Sequence, residues 1–300
     1  MARVPSNAPQ VWGADFETAE EHMKVGRLAL MRALFAAAAE HDGDVAPLLA
    51  PLHADFAAYA APRPADRALD LGSGSGGSAR LLAPRVRALI ALDAVPGLLV
   101  LARQAAPASA AFVCADIERL PFVAGAFTLL TASFALHATL PARSLPTLRR
   151  ALAPGGRLAI QEWGPADPLH LAVDDLLADC ASDSPSPTLA ALRAALASLP
   201  SLWSDLLQDV EDYQEWLAEH GFRVEHAEES EPVLVRIPSL EAYLRFLLAR
   251  PDRRAELDGM DAGARAAFLS AARRLISAAA EADGSFRWRP ALLRVTARRL

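Results

Sequence analysis

Between residues 66 and 163, five short apolar runs alternate with helical stretches, and this alternation restricts the possible folds more than any other feature. The runs are "RALDLG", "VRALIALD", "AAFVCAD", "AFTLLTAS" and "GGRLAIQEW". Strands that are apolar throughout, and not at every second residue, are buried on both faces. That requires a parallel sheet with crossover helices on each side. Ligands of such sheets bind beyond the carboxyl ends of the strands. The reading therefore gathers Asp70, Asp93, Asp116, Ser133 and Glu162 on one edge. In "LRRALAPGGRLAI", a basic helix end followed by Pro154 and two glycines predicts a sharp stop before the fifth strand.

The flanking segments read as helical. Residues 15–61 are rich in Ala and Leu, with a turn and fresh N-cap at Asp42-Gly43-Asp44. Residues 165–208 hold short helical patterns broken by "SDSPSP" and "SLPSLW". A capped helix, "DVEDYQEWLAEHGF", then leads into a strand, "RVEHAEESEPVLVRI". Residues 238–283 are helical again, clearest in "ARAAFLSAARRLISAAA". The terminal "GSFRWRPALLRVTARR" alternates as an antiparallel strand would.

Composition narrows the function. At 53% hydrophobic residues, 300 residues can bury a large core, and a net charge of −6 argues against a nucleic-acid backbone as partner. Two cysteines cannot build a disulfide framework, and no C-x-x-C or H-E-x-x-H suggests a metal. The first residues lack a signal-peptide h-region, and the apolar runs are too short to span a bilayer, so the expectation is a soluble cytoplasmic protein without a membrane partner.

The stretch "LDLGSGSGGSARLL" carries the chemistry. Gly72, Gly74 and Gly77 satisfy a dinucleotide-binding G-x-G-x-x-G, whereas Asp70 with Gly72, Gly74 and Gly76 satisfies an S-adenosylmethionine version. A serine-hydrolase elbow fails by register, because Gly74 stands where the nucleophile would. Asp93, about 20 residues after the first glycine, can accept from ribose hydroxyls of either cofactor. Asp116, which ends the third run and precedes Ile117, can accept from an adenine amino group and favours S-adenosylmethionine over a nicotinamide cofactor.

With "ALDLGSGSG", "ALDAVPGLL", "CADIERLPFVAGAF", "ASFALHATLP" and "LAPGGRLAI" in this order and spacing, the sequence resembles the class I S-adenosylmethionine-dependent methyltransferases, in the broad group similar to ubiquinone/menaquinone-biosynthesis enzymes. The likeness covers residues 55–164 well and the last two strands loosely. It implies an α/β fold: a Rossmann-like, seven-stranded, mostly parallel sheet with helices on both faces. It further implies a helical N-terminal lid over 1–60 and a cofactor domain over 61–300, with helical insertions at 165–208 and 238–283. By position, Asp70, Gly72, Ser73 and Gly74 would line the methionine end. Asp93 would bind the ribose, Ala94 would flank the adenine, Asp116 and Ile117 would read its edge, and Ser133 would sit near the methionine. One departure is Thr128, where the family usually has an aspartate, and a structural role is expected for it.

His137, after the fourth strand, is the first candidate for a general base, and packing against the next helix is the competing role. Glu162 stands equally between catalysis and structural pairing, and Trp163 could pave an acceptor pocket. His170, His22 and Trp12 fall in lid segments as surface or core, Cys114 reads as core, and His41, His53, His220 and His226 look incidental. An acidic, alanine-rich roof suits a small, largely apolar methyl acceptor: a polyketide, quinone or other aromatic, with O-methylation first and C- or N-methylation open. The alternative is an S-adenosylmethionine-binding protein that transfers no methyl group. The same helices could instead form a homodimer surface.

Overall fold

The computed structural model describes residues 42–105, 107, 109–181, 185–197 and 202–300, together with Phe35. The expectations for Trp12, His22, His41 and most of the 1–60 lid lie outside the described residues.

Helix α1 (Asp42–Tyr59) begins at the expected acids, with Asp42 and Asp44 in its first turn. Its internal Pro47 and Pro51 are exposed, while Leu48, Leu52 and Phe56, four residues apart, form the buried stripe. The chain then alternates as read: β1 (Arg67–Leu71), α2 (Ala79–Leu82), β2 (Ala88–Asp93), α3 (Pro96–Ala105), β3 (Ala110–Cys114), β4 (Phe127–Ser133), α4 (Pro141–Ala151) and β5 (Leu152–Trp163). The remaining elements are α5 (Pro168–Asp179), α6 (Pro187–Ala197), α7 (Trp203–Leu206), α8 (Val210–Glu219), β6 (Phe222–Ser230), β7 (Val235–Ile237), α9 (Leu240–Leu248), α10 (Pro251–Gly259), α11 (Ala262–Ser277), β8 (Phe286–Trp288) and β9 (Leu292–Arg299).

Seven strands form one sheet in the order β3-β2-β1-β4-β5-β9-β6, with β9 antiparallel to its neighbours. Both faces are covered, as continuous apolar strands require. Leu69, Leu71, Leu92 and Leu130 face the larger core, while Ala68, Leu89, Ala91 and Leu129 face the side that holds α1 and α2. Asp70, Thr131 and Ser133 share parity with this second set and so lie on the α1 side.

Three details differ from the sequence reading. Pro154 and the two glycines do not precede β5 but bulge out within it: β4 pairs Phe127 with Leu152, then Leu129 with Arg157. "RVEHAEESEPVLVRI" is two strands, because Pro232 cannot donate to a ladder and the chain leaves the main sheet there. Pro290 likewise splits the terminal segment into β8 and β9. The fragments β7 and β8 pair with each other as a two-stranded stalk beneath α9–α11. Thr128 is structural, as expected: its hydroxyl donates to Asp66 (2.9 Å) and accepts from the Arg67 N–H (3.0 Å).

Candidate functional site

The glycine loop leaves β1 at its carboxyl end, and the backbone is left-handed at Gly72 (φ 58°), Gly74 (φ 54°) and Gly76 (φ 90°). Asp93 pins this loop to β2, since its two carboxylate oxygens accept from the N–H groups of Gly74 and Val95, each at 2.8 Å. Burial nevertheless raises its pKa above the usual carboxylate value, the backbone donors only partly offsetting it.

Asp70 is buried beside it. Its Oδ1 accepts from Thr131 (2.8 Å), and burial, reinforced by the Asp93 charge and opposed by that hydrogen bond, pushes the carboxyl up to about 7. Among the described residues Asp70 Oδ2 and Ser73 Oγ are buried with no hydrogen-bond partner. Two orphaned polar atoms at one strand end are costly unless a ligand meets them. The space a Cβ would need at Gly74 is open, with nothing within 4 Å. The loop therefore fits a cofactor that carries a cation and hydroxyls.

The other carried-over positions border the same edge. Ala94 follows β2, and its carbonyl accepts from the Cys114 thiol at 3.6 Å. Cys114 is exposed, which corrects the core reading: it ends an outer strand with one open side. Asp116 caps a turn at 117–119 by accepting from the Glu118 N–H (2.9 Å), and Ile117 is buried behind Gly72.

Past Ser133 the chain turns through Phe134, a non-glycine residue at φ 56° whose N–H donates to the Gln161 carbonyl (2.8 Å). This conformation costs about 1–3 kcal/mol, so the surroundings must impose it. Glu162 fixes the next three residues in place. Its Oε1 accepts from the N–H groups of Ala135 (2.9 Å) and Leu136 (2.6 Å), and its Oε2 meets His137 Nδ1 at 3.2 Å. Both oxygens of this buried carboxylate are engaged, so Glu162 orients the loop and His137 and is not a free base. Burial lowers the His137 pKa, but the Glu162 hydrogen bond and charge outweigh it and the net shift is upward.

Phe134 also stacks on Trp163 (centroids 3.9 Å, 15° between planes), and Trp163 stacks on Trp288 (5.9 Å). His170, on α5, leans on Trp288 (5.2 Å) and its Nε2 lies 3.2 Å from the Tyr243 hydroxyl. Trp163 is 38% exposed although it stands between two aromatic rings, so an apolar shelf is open to solvent where β4 and β5 end. An open groove of about 630 Å³ runs along the first half of edge strand β6, lined by Phe222, His226 and Leu300 among others; it holds none of the site residues.

Sequence reasoning missed two residues. His53, on α1, reaches the glycine loop: its Nδ1 lies 3.0 Å from Ser78 Oγ and 3.3 Å from Ser133 Oγ. Arg294, on β9, is buried and donates to Gln161 Oε1 (3.0 and 2.8 Å) and to Asp55. Neither belongs to a local motif; only the pairing of distant elements brings them to the site. His220 and His226 do stand outside it, bonded to the Trp216 carbonyl and to Glu228. Among the described residues no helix is long and apolar enough to cross a membrane, and no three His, Cys, Asp or Glu cluster as a metal site.

A doubly wound sheet with a buried acid before a glycine loop, and a second strand-end acid gripping that loop, defines a nucleoside-cofactor-binding α/β protein. Similarity to known proteins specifies it further. The methyltransferase-domain family model matches residues 69–160. The demethylmenaquinone methyltransferase of Clavibacter sepedonicus is 34% identical over 174 residues, 55% of this chain and 69% of that protein. The biotin biosynthesis bifunctional protein BioHC of Cellvibrio japonicus is 39% identical over 107 residues, 35% of this chain and 21% of that protein. The chain spans about half the length, or less, of most curated relatives it matches. In fold it is similar to the YcgJ protein of Bacillus subtilis, with a TM-score of 0.50 at 16% identity, covering 82% of this chain and 97% of that one. The chain belongs to the class I S-adenosylmethionine-dependent methyltransferases, whose cofactor is S-adenosylmethionine.

Proposed function

We propose that this chain transfers the methyl group of S-adenosylmethionine to a small, largely apolar, planar acceptor such as a quinone, polyketide or other aromatic, with a hydroxyl oxygen as the favoured site. The observation that carries the acceptor class is the exposed Phe134–Trp163 shelf beside His137. Aromatic faces attract planar ligands by about 0.5–1.5 kcal/mol beyond the area they bury.

When bound, the cofactor supplies an electrophilic methyl group on sulfur. On this reading Asp70 and Ser73 meet the cofactor's amino-acid end, and Gly72 and Gly74 leave room for it. Asp93 takes the ribose side, Ala94, Asp116 and Ile117 the adenine, and Ser133 closes the methionine end. His137 hydrogen-bonds Glu162 through Nδ1–H, which leaves the Nε2 lone pair to accept a hydroxyl proton.

Incubation with labelled S-adenosylmethionine and a panel of phenols tests the reading. Turnover to S-adenosylhomocysteine is expected. His137→Gln should lose about 100-fold or more on weakly acidic phenols and much less on phenols already ionised. Tight cofactor binding without turnover on any acceptor would favour a protein that binds S-adenosylmethionine and transfers nothing.

A further inference from the structure

One polar row crosses the sheet beneath α1. Ser133 on β4, Gln161 on β5, Arg294 on β9 and Glu228 on β6 are successive register partners, so all four share a face. The directions of the Arg294–Gln161 and Gln161–Ser133 hydrogen bonds follow from chemistry. A guanidinium only donates, so the Gln161 oxygen must face Arg294 and its amide nitrogen must face Ser133, 3.2 Å away. Ser133 Oγ accepts that bond and keeps its own hydrogen to give. The Ser78 hydroxyl has no other partner among the described residues. Both hydroxyls converge on His53 Nδ1 with a hydrogen to give, an arrangement that suits an Nδ1 that accepts and carries no proton.

The ring is neutral, because burial, aided by the nearby Arg80 charge, lowers the His53 pKa to about 4. With Nδ1 as acceptor, its single proton is on Nε2, which has no partner among the described residues. The His53 ring lies against the glycine loop: a Cβ at Gly77 would meet His53 Cδ2 at 2.5 Å and Nε2 at 2.7 Å. A side chain at Gly77 would thus displace the His53 ring. The same ring stands edge-on to Phe134 at 6.1 Å. His53 accordingly joins the loop after β1 to the loop after β4, the two segments assigned to the methionine end.

We infer that His53 is a cofactor-binding residue whose Nε2–H donates to the carboxylate of the cofactor's amino-acid end, its tautomer set by the Arg294–Gln161–Ser133 relay. The assignment complements Asp70: an acid meets the ammonium, and a neutral donor meets the carboxylate. It rests on the S-adenosylmethionine reading above.

Calorimetry on the full chain tests it with two probes, S-adenosylhomocysteine and methylthioadenosine, which has the nucleoside but no amino-acid end. His53→Asn preserves a polar group towards the serines without reaching the Nε2 position, whereas His53→Gln places a donor near it. His53→Asn should lose roughly 10- to 100-fold for S-adenosylhomocysteine and keep its methylthioadenosine affinity, while His53→Gln retains most of both. An equal loss for both probes, or no loss for either, overturns the assignment. For variants too unstable to assay, nitrogen NMR of wild-type His53 is decisive. It should report an unprotonated Nδ1 and an Nε2–H that shifts with S-adenosylhomocysteine but not with methylthioadenosine; the opposite tautomer overturns the relay. A wild-type chain that binds neither probe overturns the cofactor reading itself, and the His53 assignment with it.

Discussion

At the scale of single residues the site stores unfavourable electrostatics that a ligand can relieve. The Asp70 carboxyl ionises at 3.8 in an unfolded chain and at about 7 here, so the fold favours its protonated form. Its contribution to stability is present at low pH, is lost as pH rises from about 4 to 7, and is constant above that. Asp70→Asn should therefore be more stable than the parent at pH 8, by an amount on the order of a few kcal/mol, and equal to it below pH 4. The same variant should bind S-adenosylmethionine more weakly and lack the proton release expected of the parent on binding near pH 7. Denaturant titration at two pH values and calorimetry in two buffers measure these quantities. Glu162 acts in the opposite sense, through His137. Glu162→Gln should lower the His137 pKa and move the acidic limb of the rate profile to lower pH; an unmoved limb would exclude His137 as the base. Asp70, Asp93 and Asp116 were legible because strand-end acids have fixed places in such a sheet. His53 and Arg294 were not, since a histidine on an Ala/Leu helix and an arginine on a terminal strand reveal their roles only once α1 and β9 are packed together.

At the scale of elements, the glycine loop separates steric fit from ligand fit. A Cβ at Gly72 would approach Ala135 Cβ to 2.5 Å, in addition to the left-handed backbone, so Gly72→Ala should destabilise the fold by about 2–3 kcal/mol. At Gly74 the backbone is left-handed but the space is open. Gly74→Ala should cost only about 1 kcal/mol of stability while weakening the cofactor. Gly74→Val should bind worse than Gly74→Ala. Thermal melts with and without S-adenosylhomocysteine distinguish the cases, and normal binding by the valine variant would remove the loop from the cofactor. Strands β1, β2, β4 and β5 were readable because burial on both faces leaves an unbroken apolar run, and edge strand β3, only half-buried, carries an apolar run as well. The bulge within β5 and the departures at Pro232 and Pro290 were hidden, because apolar pattern does not report where a strand changes partner. At the two departures the missing proline N–H decided the outcome.

On the scale of the whole molecule, the insertions form a second core and not a thin cover. Val173 and Leu177 of α5, Tyr243 and Leu247 of α9, and Phe268, Ala272 and Ile276 of α11 pack together with Phe286 and Trp288 of the β7–β8 stalk; Leu48 and Leu52 of α1 complete the cluster. The apolar face of α11 is thus turned towards other cap helices, and the sheet edge is bordered by Phe134, Trp163 and Trp288. Buried Arg253 ties the cap together: it donates to both oxygens of Asp174 (2.6 and 2.8 Å) and to the carbonyls of Leu247 (3.1 Å) and His170 (3.4 Å). Asp174 is partly exposed and also meets Arg250 (3.1 Å), so removing Arg253 costs mainly its hydrogen bonds and packing, and that loss falls within the cap. Arg253→Ala should therefore accelerate hydrogen exchange in 168–179 and 240–277 well before β1 or β4 responds. Cofactor plus an aromatic acceptor should slow exchange in those same helices in the parent, because Trp288 and His170 belong to the cap while Trp163 belongs to the sheet. A ligand seated on the shelf touches both and couples them. Equal acceleration across cap and sheet would mean one cooperative unit, and unchanged exchange on adding both ligands would mean that the cap is preformed and takes no part in enclosing the acceptor.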